Sequence, residues 1–527
     1  MDELPKEKGP FPDRGKDSRI LSDAKKAAKG AGFTLLGSGI GAALELVGQI
    51  LLARFLGMGG LGLYSLGMAA VRIAEVVARL GIPLGGTRLV SIYKGTDQPR
   101  VKGVLLSSSG ICLLSGCLTG LILWLSADSV AQRIFNNPEM AWVLRALAPA
   151  VPCVTLMAVS SSLLTGFHTT KFTVLSRNLI EPGVNLVLMA SFLILGQGLK
   201  GVIWAFIASH IVAGICALGF MVKLFPSLTD SSVRPVYDLR RLMGNSVPIL
   251  LIGVLNYVLA WTDTVMLGIL SSTSAVGLYR ASSRIPMILP LFLNATNSIY
   301  APLAASLHAK GERERLAGIL KTTTRWVTYA TVPGFLFIIF GSTEIMSMFG
   351  KEFTKQGNTV MVVLAVGCLV NSLTGGTGMT LMMCGRQDIQ LYAAVGCVAL
   401  NIFLNMLLIP NFGAIGAAIA TSISMCAVNV AKLFFLWKLL DLHPFSMRTL
   451  GIVAAGLGLL CLVWIMKGLV EVFGSWAFVA RILVGVGGLI VFIILWGLDK
   501  QDLILWRELK LKFLGKKQIA ELDSFPG

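Results

Sequence analysis

Gly62-Leu63-Tyr64 and Gly277-Leu278-Tyr279 are one tripeptide met twice in a 527-residue chain. A Leu-Gly pair lies shortly upstream each time, as Leu56-Gly57 and Leu267-Gly268. A Lys-Gly pair closes each block about one long helix later, as Lys94-Gly95 and Lys310-Gly311. A second pattern, Gly-x3-Ala-x3-Ser, recurs as Gly201, Ala205, Ser209 and as Gly416, Ala420, Ser424. Gly62 and Gly277 are 215 positions apart, and so are Gly201 and Gly416. Two unrelated motifs with one offset indicate a duplicated half-chain, which in a membrane protein marks a transporter.

Composition makes the membrane setting clear. Apolar residues form 55% of the chain and charged residues only 14%, whereas soluble domains carry about 25% charged residues. Apolar runs long enough to span a bilayer as helices follow one another from Gly30 to Gly497. The expected fold is an all-α polytopic membrane protein of about fourteen transmembrane helices. It comprises two pseudo-symmetric six-helix bundles and two C-terminal helices. The polar head has no A-x-A cleavage site, which argues against a removable signal peptide.

The net charge of +18 could suggest nucleic acid, but its distribution argues otherwise. Lys and Arg concentrate in alternate loops, while the intervening loops, such as Met58 to Gly60 and Asn411 to Gly413, are tiny or nearly neutral. This asymmetry puts both termini in the cytoplasm of a multi-pass protein of the plasma membrane. The expected division is a basic tail (1–29), an N-terminal bundle (30–223), a cytoplasmic linker (224–241) and a C-terminal bundle (242–440). Two accessory helices (441–498) and an amphipathic basic tail (499–527) follow; the tail suits a helix lying in the cytoplasmic interface. The halves have even numbers of spans, so they point the same way across the membrane. Prolines such as Pro83, Pro182 and Pro286 should kink their helices. All nine cysteines lie in apolar spans without metal-ligand spacing and read as small buried hydrophobes.

A charge inside a span is costly and marks a candidate functional site. Span two carries Arg72, Glu75 and Arg79, spaced to share one helical face. Arg72 falls roughly 18 Å into the membrane and Arg79 roughly 10 Å deeper. Span eight carries Arg280 and Arg284, one turn apart. These four arginines are the expected cationic substrate site, since guanidinium binds phosphate oxygens through paired hydrogen bonds. Glu45, Glu75 and Asp263 are expected to balance that charge or to bind a coupling cation. Glu181 is expected to pair with Arg177, and His168 and His210 read as structural. The chain has no Walker A, HExxH or Gly-x-Ser-x-Gly pattern, and no loop long enough for a catalytic domain. Neither enzymatic activity nor a cofactor or metal is expected.

At these residues the chain resembles the multidrug/oligosaccharidyl-lipid/polysaccharide superfamily, and within it the polysaccharide transporter (O-antigen flippase) branch. The resemblance rests on Leu56-Gly57 through Tyr64 and on Asp263-Thr264-Val265-Met266-Leu267-Gly268 through Tyr279. A third stretch runs from Asn401 and Asn405 through Ile409-Pro410 and Gly413 to Gly416-Ala417-Ala418 and Ala420-Thr421. It implies alternating access by two six-helix bundles and a polyprenyl-(pyro)phosphate-linked oligosaccharide as substrate. Membrane lipids and glycan-assembly enzymes are the other implied partners, and no nucleic acid is. The alternatives are a cation-coupled multidrug antiporter of the same superfamily and a peptidoglycan-precursor flippase. An integral-membrane glycosyltransferase or a non-transporting scaffold stands further off.

Overall fold

The computed structural model describes residues 14–167, 169–465 and 477–494. The amphipathic tail, His168 and parts of the accessory helices lie outside the described residues. Every assigned element among the described residues is a helix. By length and apolar composition six of them can cross a membrane, or eight if each of two bent pairs counts as one crossing. The protein is thus a multi-pass helical membrane protein.

Two of those helical runs are far too long for one crossing. Leu36–Arg79 has 44 residues and Gln387–Leu440 has 54, about 66 and 81 Å at 1.5 Å per residue against a hydrocarbon core of about 30 Å. Each contains a glycine outside the helical region, Gly57 (φ 65°, ψ −175°) and Gly413 (φ 53°, ψ −128°). The Gly413 break falls in the expected loop Asn411 to Gly413, and the Gly57 break immediately precedes the expected loop Met58 to Gly60. Other spans are shortened by proline. The expected eighth span is divided into Thr273–Ser283, a 3-10 turn opened by Pro286, and Leu289–Ala309. Pro83 stands in the first turn of Ile82–Tyr93, which follows a break at Leu80 and Gly81. Pro182 has no N–H to offer the carbonyl of Asn178, and the preceding turn, Leu175–Ile180, is a π-helix.

The chain forms two compact units. Unit one comprises Met1–Leu56 and Leu66–Trp261. One apolar cluster in it joins Ile82, Leu89 and Val90 to Val104, Leu163 and Met221. Small residues let its helices approach closely. A Cβ on Gly116 would stand 2.9 Å from the Pro152 Cα, and one on Gly81 only 2.0 Å from the Ser246 carbonyl oxygen. The linker packs on this unit: Lys102 Nζ donates to the Asp230 carbonyl at 2.6 Å, and Val236 N–H donates to the Pro99 carbonyl at 3.0 Å.

Unit two comprises Gly57–Ser65 and Thr262–Gly527. Its core includes Tyr300, Leu320, Leu381 and Leu436, and the Tyr300 hydroxyl bonds Thr380 Oγ1 at 2.6 Å. The Glu352 carboxylate accepts the Met58 N–H at 2.9 Å, capping the helix that restarts after Gly57. The two copies of the opening tripeptide touch within this unit. A Cβ on Gly62 would lie 1.7 Å from the Thr273 carbonyl oxygen, and one on Gly277 would lie 2.0 Å from the Met58 carbonyl oxygen. Only glycine permits this approach at either position. The second repeated pattern is buried in both copies, through Ala205 and Ser209 and through Ala420 and Ser424. Of the cysteines, Cys112, Cys368 and Cys384 are buried as expected, whereas Cys117 and Cys461 are exposed.

Candidate functional site

Unit one gathers the span-two charges around one carboxylate. Arg72, Glu75 and Arg79 do share a helical face. Glu75 is fully buried, while the Arg72 and Arg79 side chains remain 28% and 17% exposed. Arg72 Nη1 donates to Glu75 Oε2 at 2.9 Å, and Arg79 Nη2 donates to Glu75 Oε1. Each carboxylate oxygen therefore holds one guanidinium, and the triplet keeps a net positive charge. Each guanidinium has five N–H donors, so both retain donors for a further anion. Arg79 Nη1 also reaches the Tyr257 hydroxyl at 3.5 Å, while its buried Nε has no hydrogen-bond partner.

The expected pairing of Glu181 with Arg177 is not found. Glu181 Oε1 instead lies 3.7 Å from Nδ1 of the buried His210. The π-helical turn rephases the residues before Pro182, so ordinary helical spacing misjudges which way Arg177 points. Arg177 is exposed and within coulombic range of Arg72 and Arg79. His210 keeps a structural bond, with Nδ1 2.9 Å from the Phe206 carbonyl oxygen and its ring against the Phe206 ring. Glu45 is exposed and within coulombic range of Glu181.

Unit two surrounds a single carboxylate with neutral donors. Asp263 Oδ2 accepts from the Tyr279 hydroxyl and from Thr421 Oγ1, both at 2.6 Å. Its Oδ1 accepts from Asn405 Nδ2 at 2.8 Å and Asn401 Nδ2 at 3.1 Å. Asn405 Nδ2 also donates to Asn401 Oδ1 at 3.1 Å, and Asn405 Oδ1 is buried with no hydrogen-bond partner. Asn401 and Asn405 stand one turn apart in the helix before Gly413, and Thr421 belongs to the helix after it. Tyr279 is the last residue of the second repeated tripeptide, so the motif carries part of the site. Its hydroxyl was not legible as a site feature, because Gly-Leu-Tyr alone reads as a helix-start packing element.

Arg280 and Arg284 are partly buried at the end of the helix Thr273–Ser283, with Arg284 as its C-cap residue. No group of three or more His, Cys, Asp or Glu side chains among the described residues is arranged to hold a metal ion.

Two family models match this chain. Residues 27–308 match one described as polysaccharide biosynthesis protein, and residues 248–407 match MatE. A probable low-salt glycan biosynthesis flippase, Agl15, of Haloferax volcanii is 28% identical over 404 residues, covering 75% of this chain and 80% of the relative. A putative O-antigen transporter of Shigella flexneri is 20% identical, covering 75% of this chain and 94% of the relative. Among solved structures, the lipid II flippase MurJ in an inward closed conformation superposes with a TM-score of 0.69 at 16% identity. That match covers 89% of this chain and 99% of the other. An inward-facing multidrug resistance MATE family transporter of the MOP superfamily gives a TM-score of 0.61 at 15% identity, covering 78% and 98%. Both likenesses concern the fold.

Proposed function

Because the chain belongs to the polysaccharide biosynthesis protein family, we propose that it turns a polyprenyl-(pyro)phosphate-linked oligosaccharide across the cytoplasmic membrane by alternating access. The product serves cell-surface polysaccharide assembly. The observation that carries this reading is the Arg72–Glu75–Arg79 triplet, two guanidiniums held inside an apolar bundle with donors to spare. Arg72 and Arg79, joined by Arg177, bind the phosphate. Arg280 and Arg284 are unit two's contribution to the substrate path. The relatives named as a probable glycan biosynthesis flippase and as a putative O-antigen transporter support this substrate class.

In this reading the fourteen crossings form two six-helix bundles and an accessory pair, with both termini in the cytoplasm. The MatE match supports a second element, coupling to a cation through Asp263. Rotation of the Asn401 and Asn405 amides, whose O and N ends are nearly the same size, turns their oxygens towards Asp263. With Thr421 and Tyr279 they then make the all-oxygen environment that hard cations take. The partnerless Asn405 Oδ1 fits that rotation, and a proton on Asp263 would use the same cage. Glu45 and Glu75 serve as charge balance in unit one.

The test is surface-glycan export in a strain that depends on this protein. Arg72→Ala should reduce export more than ten-fold, as expected for losing a charge-assisted contact of about 1.5–3 kcal/mol, at unchanged protein level. Normal export by Arg72→Ala removes the cationic site. Restoration of peptidoglycan synthesis, or cation-driven drug efflux with export unaffected, would support the alternative substrates.

A further inference from the structure

An arginine-lined cleft lies apart from the triplet, at the end of unit one where the linker packs. It measures about 250 Å³ and is lined by Arg88, Leu89, Ile92, Arg241 and Gly244. None of these five is acidic. Arg241 is held in place: its Nη1 donates to the Tyr93 hydroxyl at 3.0 Å, and its guanidinium lies over the Tyr93 ring. Arg100 lies over the same ring at 5.5 Å, but Asp97 engages it as an ion pair. Arg88 is exposed and has no hydrogen bond or ion pair among the described residues. Asp238, three residues before Arg241, accepts the Arg241 N–H at 3.2 Å through Oδ1.

The surroundings define the ligand. Leu84, Arg88 and Ile92 are spaced four residues apart and share a helical face, on which Leu84 and Ile92 are 61% and 49% exposed. A lone cation between two exposed apolar side chains suits a molecule with a charged head and a hydrocarbon chain. Basic pockets at the end of membrane helices attract anionic headgroups, and guanidinium favours phosphate through paired bonds. We propose that Arg88 and Arg241 bind the phosphate or diphosphate of a membrane lipid, with its chain along Leu84 and Ile92. The site stands apart from the flippase reading; only the choice between two sources, the carrier lipid or a bulk anionic phospholipid, leans on that reading.

The test uses the purified full-length chain in phosphatidylcholine nanodiscs. One arm titrates farnesyl diphosphate, a sugar-free prenyl diphosphate; the other dopes the nanodiscs with phosphatidylglycerol and measures lipid retained by native mass spectrometry. Arg88→Gln should weaken binding about ten-fold in at least one arm, with Arg88→Lys intermediate because it keeps the charge but loses the fork. Loss in the diphosphate arm identifies the carrier lipid, and loss in the other arm identifies bulk phospholipid. Wild-type binding in both arms by Arg88→Gln and Arg241→Gln overturns the site. Arg72→Gln serves as the separating control. If it exports glycan normally while Arg88→Gln loses lipid, the flippase site fails and this one stands.

Discussion

The two units handle a carboxylate in opposite ways, fully buried at Glu75 and partly buried at Asp263. In unit one Glu75 serves two arginines: it offsets their charge and leaves them net positive. In unit two Asp263 is itself the charge, held by two hydroxyls and two amides that neutralise nothing. The sequence repeat makes this contrast sharper. At the 215-residue offset, Arg72, Glu75 and Arg79 correspond to Met287, Pro290 and Asn294, and Asp263 corresponds to Gly48. Arg280 and Arg284 likewise correspond to Ser65 and Ala69. The repeat preserved helix packing while the polar chemistry diverged. One unit presents a net positive triplet and the other a carboxylate among neutral donors.

The same chemical change, carboxylate to amide, should therefore act differently in the two units. Glu75→Gln leaves two guanidiniums without their counter-charge and should cost about 3–5 kcal/mol, the usual penalty for breaking a buried ion pair. A fall in the melting temperature of the detergent-purified protein would register it. A wild-type melting curve would mean that the arginines are not held by Glu75. Asp263→Asn keeps the shape and many of the bonds, so the protein should melt normally while losing the dependence of transport on a cation gradient. Proteoliposome transport with and without the gradient decides this, and an unaltered dependence would leave Asp263 a purely structural residue. Tyr279→Phe should have the smallest effect, removing one of four bonds for about 1 kcal/mol. It should shift the cation concentration giving half-maximal transport without abolishing the response. If Tyr279→Phe behaves like Asp263→Asn, the cage works as an all-or-none unit.

Much of the first site was legible in the sequence because it is local. The spacing of Arg72, Glu75 and Arg79 places them on one face of one helix, and the structure adds mainly that Glu75 lies between the arginines. The breaks at Gly57 and Gly413 were also legible to within a residue, since each lies at or beside a short neutral loop between apolar runs. The second site was hidden because it is assembled from distant segments: Asn401 and Thr421 lie 138 and 158 positions from Asp263. The Glu181 environment was hidden for another reason. A π-turn changes the phase of a helix, and periodicity arguments assume that phase is constant.

The contact between Gly62 and Gly277 carries a consequence for ancestry. Each glycine faces the carbonyl of the residue four places before the other, Thr273 in one direction and Met58 in the other, and Thr273 is itself 215 positions after Met58. That is the reciprocity of an isologous interface, in which residue i meets j and j meets i. In a precursor of two separate identical chains, this position would have met its own copy on a two-fold axis. Fusion into one polypeptide freed most paired positions to specialise, as Arg72 and Met287 have done. It gave no such freedom here, because a side chain added on either side collides with the backbone of the other.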